Sequence, residues 1–406
     1  MQTKHYSSRG QKPRFKNGAR FNRKRSGGPR KQFIHPSKFI NHSVRQKEPE
    51  VYEPAHTFFD FGFSELLEKN LSTLGFSIPS AIQDKSIPLI ANGKDIIGLA
   101  NTGTGKTAAF LLPTLEKLRQ NPAKMSVLVI APTRELAQQI DAECRRFSRG
   151  LRIYSTLCVG GVNIRPQIQQ LQREPHIIIG TPGRLVDLMN QNQLHLDGVT
   201  TLILDEADRM LDMGFLPDVT TLTEQTARKR QTLLFSATMT SGVERIVNNF
   251  MNNPETVSVK TSETNEHIFQ DVVEFDDDAH RKTLLANLLT EEEFEKVVVF
   301  GETKFGVQRL ADLLSKQNIP ATAIHGNKSQ SQRERALKDF KNGRAKVLVA
   351  TDVAARGLDI PNVSHVINFD TPQSYDDYIH RIGRTGRGGK HGTALTFIQK
   401  SKNFTR

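Results

Sequence analysis

The chain has 406 residues, with 56 Lys or Arg against 43 Asp or Glu and a formal net charge of +13. Fourteen of the basic residues and none of the acidic ones fall within residues 1–47, so the other 42, set against all 43 carboxylates, leave the remainder at −1. This distribution excludes a basic body that coats nucleic acid by bulk charge; two isolated cysteines, Cys144 and Cys158, argue against a disulfide scaffold or structural zinc and for a reducing, cytoplasmic setting, and no apolar run has membrane-helix length.

In chain order, residues 1 to about 44 mix Lys, Arg, Gly, Ser, Asn and Gln with Tyr6, Phe15, Phe21, Phe33 and Phe39, show no apolar periodicity, and read as part of a disordered basic tail over 1–50. The tail admits three readings: a solvated leader, an organellar transit peptide, or a sequence-independent RNA anchor. Its Gly-Gly-Pro and Lys-Pro interruptions disfavour the second, and its mixture of cations and aromatics favours the third.

Across residues 51–258 short β-branched runs at 95–99, 126–130, 153–158, 176–180, 201–204 and 232–235 alternate with helical pattern. Residues 259–267 are polar and read as a linker. A second series, at 297–300, 321–324, 347–350, 365–369 and 393–397, occupies 268–406. Strands alternating with helices imply parallel sheets, so the expected fold is α/β with two tandem lobes and a ligand-binding cleft between them.

Between the strand at 95–99 and a helix at 107–119 stands Ala100-Asn101-Thr102-Gly103-Thr104-Gly105-Lys106-Thr107. A strand, a glycine-rich turn and a helix start together point backbone N–H groups and a positive dipole end at a phosphate chain. Lys106 would then reach the β/γ-phosphates and Thr107 would ligate Mg²⁺. The strand at 201–204 ends in Asp205-Glu206-Ala207-Asp208, at the sheet edge where catalytic groups gather. Asp205 would hold the metal and Glu206 would orient and deprotonate the attacking water.

With these two motifs in place, the chain resembles a DEAD-box RNA helicase of superfamily 2 over roughly residues 58–397. The phosphate loop has that family's form, with Ala100 at its head. Gly75-Phe76-Ser77-Ile78-Pro79-Ser80-Ala81-Ile82-Gln83 resembles its adenine-reading segment, in which the glutamine bonds the base and an upstream aromatic stacks on it; those positions are Gln83 and Phe58. Pro132-Thr133-Arg134-Glu135-Leu136-Ala137, Gly160-Gly161 and Thr181-Pro182-Gly183-Arg184 resemble the first lobe's RNA contacts. In the second lobe, segments 300–304 and 330–333 resemble RNA-facing and lobe-interface segments.

The resemblance implies two RecA-like domains, with RNA contacts through Thr133, Arg134, Gly161, Thr181, Arg184 and Thr351. It implies ATP contacts through Thr102, Gly103, Thr104, Gly105, Lys106, Thr107 and, at the ribose, Asp359. Coupling roles go to Asp208, Ser236, Thr238 and His380, and two arginine fingers are implied at Arg384 and Arg387. The expected activity is ATP- and Mg²⁺-dependent, sequence-independent unwinding of short RNA duplexes or remodelling of RNA–protein complexes by a monomer. An ATP-gated RNA clamp without productive unwinding shares every one of these motifs, and a DNA translocase is the third option.

Overall fold

Runs such as Val-Leu-Val-Ile at 127–130 and Val-Val-Val-Phe at 297–300 are apolar on both faces, the pattern of strands covered on two sides. In the computed structural model, which describes residues 34–42, 52–101, 103–259, 268–355, 360, 362–386 and 391–400, they form the interiors of two parallel sheets. The first sheet contains β1 (Ile96–Ala100), β2 (Val127–Ile130), β3 (Ser155–Cys158), β4 (Ile177–Gly180), β5 (Thr201–Leu204), β6 (Gln231–Ser236) and β7 (Glu255–Val259). Their order is β3-β4-β2-β5-β6-β1-β7. The second contains β8 (Ile268–Phe275), β9 (Val297–Phe300), β10 (Ala321–Ile324), β11 (Val347–Ala350), β12 (His365–Asn368) and β13 (Gly392–Gln399), in the order β10-β11-β9-β12-β13-β8.

Each sheet is sandwiched by apolar clusters on both faces, so each lobe has its own two-layered core. All the expected strands are present. The edge strands β7 and β8, which flank the expected linker, were not anticipated; Val259 closes β7, and the rest of the linker, residues 260–267, lies outside the described residues.

The register sets the site. Leu99 of β1 pairs with Ser236 of β6, and Leu204 of β5 pairs with Leu234 of β6. The C-terminal ends of β1, β6 and β5 are therefore neighbours, and each is followed by one of the motifs singled out above. In an open parallel sheet this is the edge where ligands bind.

One expectation is corrected. The disordered tail was drawn over residues 1–50, but residues 34–42 are structured: Pro36–Phe39 is a 3₁₀ turn, Phe39 is buried in the second lobe's core, and Asn41 bridges antiparallel to Gln270 of β8. Local periodicity misses this because the partners lie more than 200 residues away. Residues 1–33 and 43–51 lie outside the described residues, as do Thr102, Asp359 and Arg387.

Candidate functional site

The glycine turn after β1 reaches the Lys106–Gln120 helix with Gly103 at φ 88° and Gly105 at φ 91°, conformations that favour glycine. Gly105 has a second reason to lack a side chain: a Cβ there would come within 2.4 Å of the Gln83 amide nitrogen. Gln83 Nε2 donates to the Gly105 carbonyl at 3.0 Å, and the Ser80 hydroxyl donates to the Thr104 carbonyl at 2.7 Å. The Thr104 hydroxyl donates to the Asn101 carbonyl, and the buried Lys106 ammonium donates to the Ala100 carbonyl at 3.0 Å. Thr107 follows at the second position of the helix, half-buried.

The two residues expected on adenine lie beside the phosphate loop and in the first lobe's core. Gln83 is buried, and its Oε1 also accepts from the Ser80 N–H at 2.9 Å, so its amide closes a capping box and supports the phosphate loop. The Ser-x-x-Gln spacing is the sequence signal for that role. Phe58 is 3% exposed and packs in T-shaped contact with Phe61 and Phe76.

After β5 the chain turns sharply. Glu206 stands at φ 53°, ψ 52°, a left-handed conformation that costs a non-glycine residue energy. Asp205 is buried, its carboxylate accepting from the Glu206 N–H; burial pushes its pKa up to about 6, with Lys106 pulling the other way. Burial would also raise Glu206, yet Arg209, 3.0 Å away, together with Lys106, Arg384 and His380, holds it below the ordinary value. Arg384 and His380 belong to the second lobe, so charges from both lobes converge on this one carboxylate. His380 also lines a cavity of about 370 Å³ with Asp212 of the first lobe.

Asp208 joins the acidic segment to the end of β6. Its Oδ2 accepts from the Ala237 and Thr238 N–H groups and from the Thr238 hydroxyl at 3.0–3.1 Å. The Ser236 hydroxyl accepts from the Asp208 N–H and donates to the Thr238 carbonyl. Asp208, Ser236 and Thr238, the first-lobe residues expected to couple, therefore form one buried or half-buried network.

A groove of about 650 Å³ runs across both lobes and holds Thr133, Arg134, Thr181 and Arg184 on one side and Arg333 and Thr351 on the other. Gly161, at φ 74°, lies under the Arg134 guanidinium, where a Cβ would come within 1.9 Å of Nη1. Burial lowers the Arg134 pKa, and the nearby cations Arg333 and Arg184 lower it further. Arg184 Nη1 and Arg333 Nε are buried without a hydrogen-bond partner among the described residues. Such donors are matched by an anionic oxygen. The Thr133 hydroxyl also caps the Arg134–Phe147 helix by accepting from Leu136 N–H.

Two sets of residues escaped the sequence reading. Across the lobes, Arg333 bridges Glu135 at 2.9 Å and Gln138 donates to Glu334 at 2.7 Å. Within the second lobe, Arg381 is buried and grips Asp352 through two bonds of 2.6 and 2.7 Å. These are long-range pairings; the only local hint was the position of Arg333 in a lobe-interface-like segment.

Residues fit for a metal are Asp205 and Thr107, both offering oxygen to a hard cation, and burial raises the Asp205 pKa although Lys106 opposes it. Among the described residues no group of three or more His, Cys, Asp or Glu could hold a metal. Mg²⁺ itself takes one or two protein oxygens and completes its shell with phosphates and water. No helix among the described residues is long and apolar enough to cross a membrane.

Residues 80–246 match the DEAD/DEAH box helicase family model and residues 280–389 the helicase conserved C-terminal domain. The chain is 45% identical over 342 residues to the ATP-dependent RNA helicase CshA of Listeria monocytogenes, covering 84% of this chain and 66% of that protein. It is 46% identical over 343 residues to the DEAD-box ATP-dependent RNA helicase CshA of Bacillus subtilis, covering 84% and 69%. Among solved structures it is similar to S. cerevisiae Dbp5 bound to RNA and ADP BeF3, with a TM-score of 0.76, 31% identity, and 86% and 90% coverage. It is also similar to Mss116p bound to single-stranded RNA and AMP-PNP, with a TM-score of 0.74, 32% identity, and 84% and 74% coverage.

Proposed function

The chain belongs to the DEAD/DEAH box helicase family, and on that premise we propose that it is an ATP-dependent RNA helicase in which closure of the lobes couples ATP hydrolysis to RNA binding. The observation that carries this reading is the convergence on Glu206. The base stands on the first lobe beside Lys106, and the finger Arg384 with His380 stands on the second, so the site is complete only while the lobes are together.

The N–H groups of the 103–107 turn and the Lys106 ammonium take the phosphate chain of ATP, the ammonium giving up the Ala100 carbonyl to do so. Glu206 accepts a proton from the attacking water, and Arg384 and Lys106 offset the charge that builds on the γ-phosphate oxygens. Asp205 and Thr107 would hold Mg²⁺, which when bound neutralises phosphate charge. Thr102 at the phosphates, Asp359 at the ribose and Arg387 as second finger carry the assignments the resemblance gives them. Contact of Gln83 with adenine requires its present backbone bonds to exchange.

RNA occupies the groove, its phosphates meeting Arg134, Arg184 and Arg333 and its ribose and phosphate oxygens meeting Thr181 and Thr351. These contacts position a strand without reading its bases. Because ATP and RNA both favour the closed state, each raises the affinity for the other. The Asp208, Ser236 and Thr238 network carries the state of the acidic segment to the end of β6. A cytoplasmic location is supported by two free, buried thiols, Cys144 and Cys158; the protein acts as a monomer, and its basic tail holds RNA nearby.

The test is ATP turnover with single-stranded RNA or DNA of equal length, run beside a duplex-separation assay. Stimulation by RNA alone, with separation of short duplexes, is the expected result. Equal stimulation by DNA indicates a translocase, and ATP-dependent RNA affinity without strand separation indicates a clamp.

A further inference from the structure

Residues 34–42 precede the first lobe and lie outside both segments matched by the family models, yet they fold onto the second lobe. Phe39 is 1% exposed and its ring meets Tyr378 edge-on, with centroids 4.8 Å apart. Two residues later Asn41 donates its N–H to the Gln270 carbonyl at 2.8 Å and accepts the Gln270 N–H at 3.1 Å. Gln270 in turn accepts the Tyr378 hydroxyl at 2.9 Å through its side chain. Phe39, Tyr378, Gln270 and Asn41 thus form a closed circuit in which the strap supplies two members of four. Lys38 lies over the Tyr375 ring, and His42 approaches Asp271 at 3.3 Å and stacks on Phe269.

The placement of Tyr378 gives the circuit its consequence. It stands in the middle of the Tyr375–Ile382 helix, two residues before His380, and Arg384 follows the helix end with its Nε donating to the His380 carbonyl at 3.3 Å. This short element delivers to Glu206 the charges that come from the second lobe. One anchor, Arg381 on Asp352, belongs to the lobe itself. Another, Tyr378, is seated jointly by Gln270 of β8 and by the strap's Phe39.

We propose that Phe39 and Asn41 are positioning residues for Arg384: the strap fixes the seat of the finger-bearing helix, so that a segment outside the helicase fold sets the rate of ATP hydrolysis. The proposal rests on the reading of Arg384 as a finger. Misplacing a reacting group by about 1 Å costs up to 10²-fold in rate.

The experiment is a double-mutant cycle in the full chain, reading single-turnover ATP hydrolysis at saturating RNA. Phe39→Ala should lower the rate about tenfold or more, with the KM values for ATP and RNA within about twofold of the parent, and Phe39→Leu, which refills the cavity, should recover most of the loss. In an Arg384→Ala background Phe39→Ala should cost less than about twofold, because the finger it positions is gone. Asn41→Pro, which removes the N–H bonded to Gln270 and leaves the core filled, should repeat the pattern and serves where Phe39→Ala melts early. An equal loss in both backgrounds would show general packing and overturn the strap's role alone. An unchanged rate in a folded Phe39→Ala protein overturns it too. A parental rate in Arg384→Ala overturns the finger assignment, and the positioning role with it.

Discussion

The two faces of the cleft are prepared for their ligands in opposite ways. On the nucleotide side the functional groups already have protein partners: Lys106 on the Ala100 carbonyl, Gln83 on Gly105, Glu206 on Arg209, Asp208 on the end of β6. On the RNA side, burial and the neighbouring cations Arg333 and Arg184 lower the Arg134 pKa, and although Arg333 bridges Glu135, Arg184 Nη1 and Arg333 Nε are buried donors without a partner among the described residues. A ligand on the first face must displace bonds, which makes binding an exchange that rearranges the loop. A ligand on the second relieves desolvation and repulsion, so a polyanion draws the lobes together. Changes on the first face should therefore act on the rate of chemistry, and changes on the second on RNA affinity.

The largest expected effect tests the first half of that contrast. Arg384→Ala should lower RNA-saturated kcat by about 10³ to 10⁵, the worth of an arginine finger, while binding of a non-hydrolysable ATP analogue changes only a few-fold. Glu206→Gln should follow at about 10² to 10⁴, since the amide keeps a partner for Arg209 but cannot take a proton. A large rise in the RNA KM with unchanged kcat in either variant would erase the distinction between the faces.

Gly161→Ala addresses the second face. Its backbone sits at φ 74° and a methyl group would press on Arg134 Nη1, so the guanidinium must leave its place over the glycine pair. The RNA KM should rise about tenfold, one lost charge-assisted contact, with kcat at saturating RNA nearly unchanged. Titration of ATP turnover with RNA separates the two constants.

The same contrast explains what was legible in the sequence. Interior strands such as β2, β5 and β9 announce themselves because both faces are buried and every residue is apolar. β7 escapes because it is an edge strand, Glu-Thr-Val-Ser-Val, with its leading residues exposed. The phosphate loop and acidic segment are contiguous motifs and were found whole. The long-range pairings elsewhere in the molecule were not: Arg333 reaches Glu135 from 198 positions away, and Phe39 reaches Tyr378 across nearly the whole chain. Resemblance assigned Gln83 and Phe58 to a base, and the structure adds what local pattern did not show: Gln83 closes a capping box and Phe58 packs in the core. Local pattern carries the chemistry; long-range packing decides how it is held.

The smallest effect expected concerns the basic leader, and the strap changes how it must be tested. Removing residues 1–47 would also remove Phe39 and Asn41 and confuse loss of RNA affinity with loss of finger position. A chain beginning at residue 34 loses eleven of the fourteen leader cations and keeps the strap. If about half of those eleven meet phosphates of a single strand, the slope of log K against log salt should become shallower by about 4 units. Turnover at saturating RNA should stay at the parental value, because Lys106, Glu206 and Arg384 are untouched. An unchanged slope would show that the leader contributes nothing to RNA binding, and would leave the groove as the protein's whole electrostatic claim on RNA.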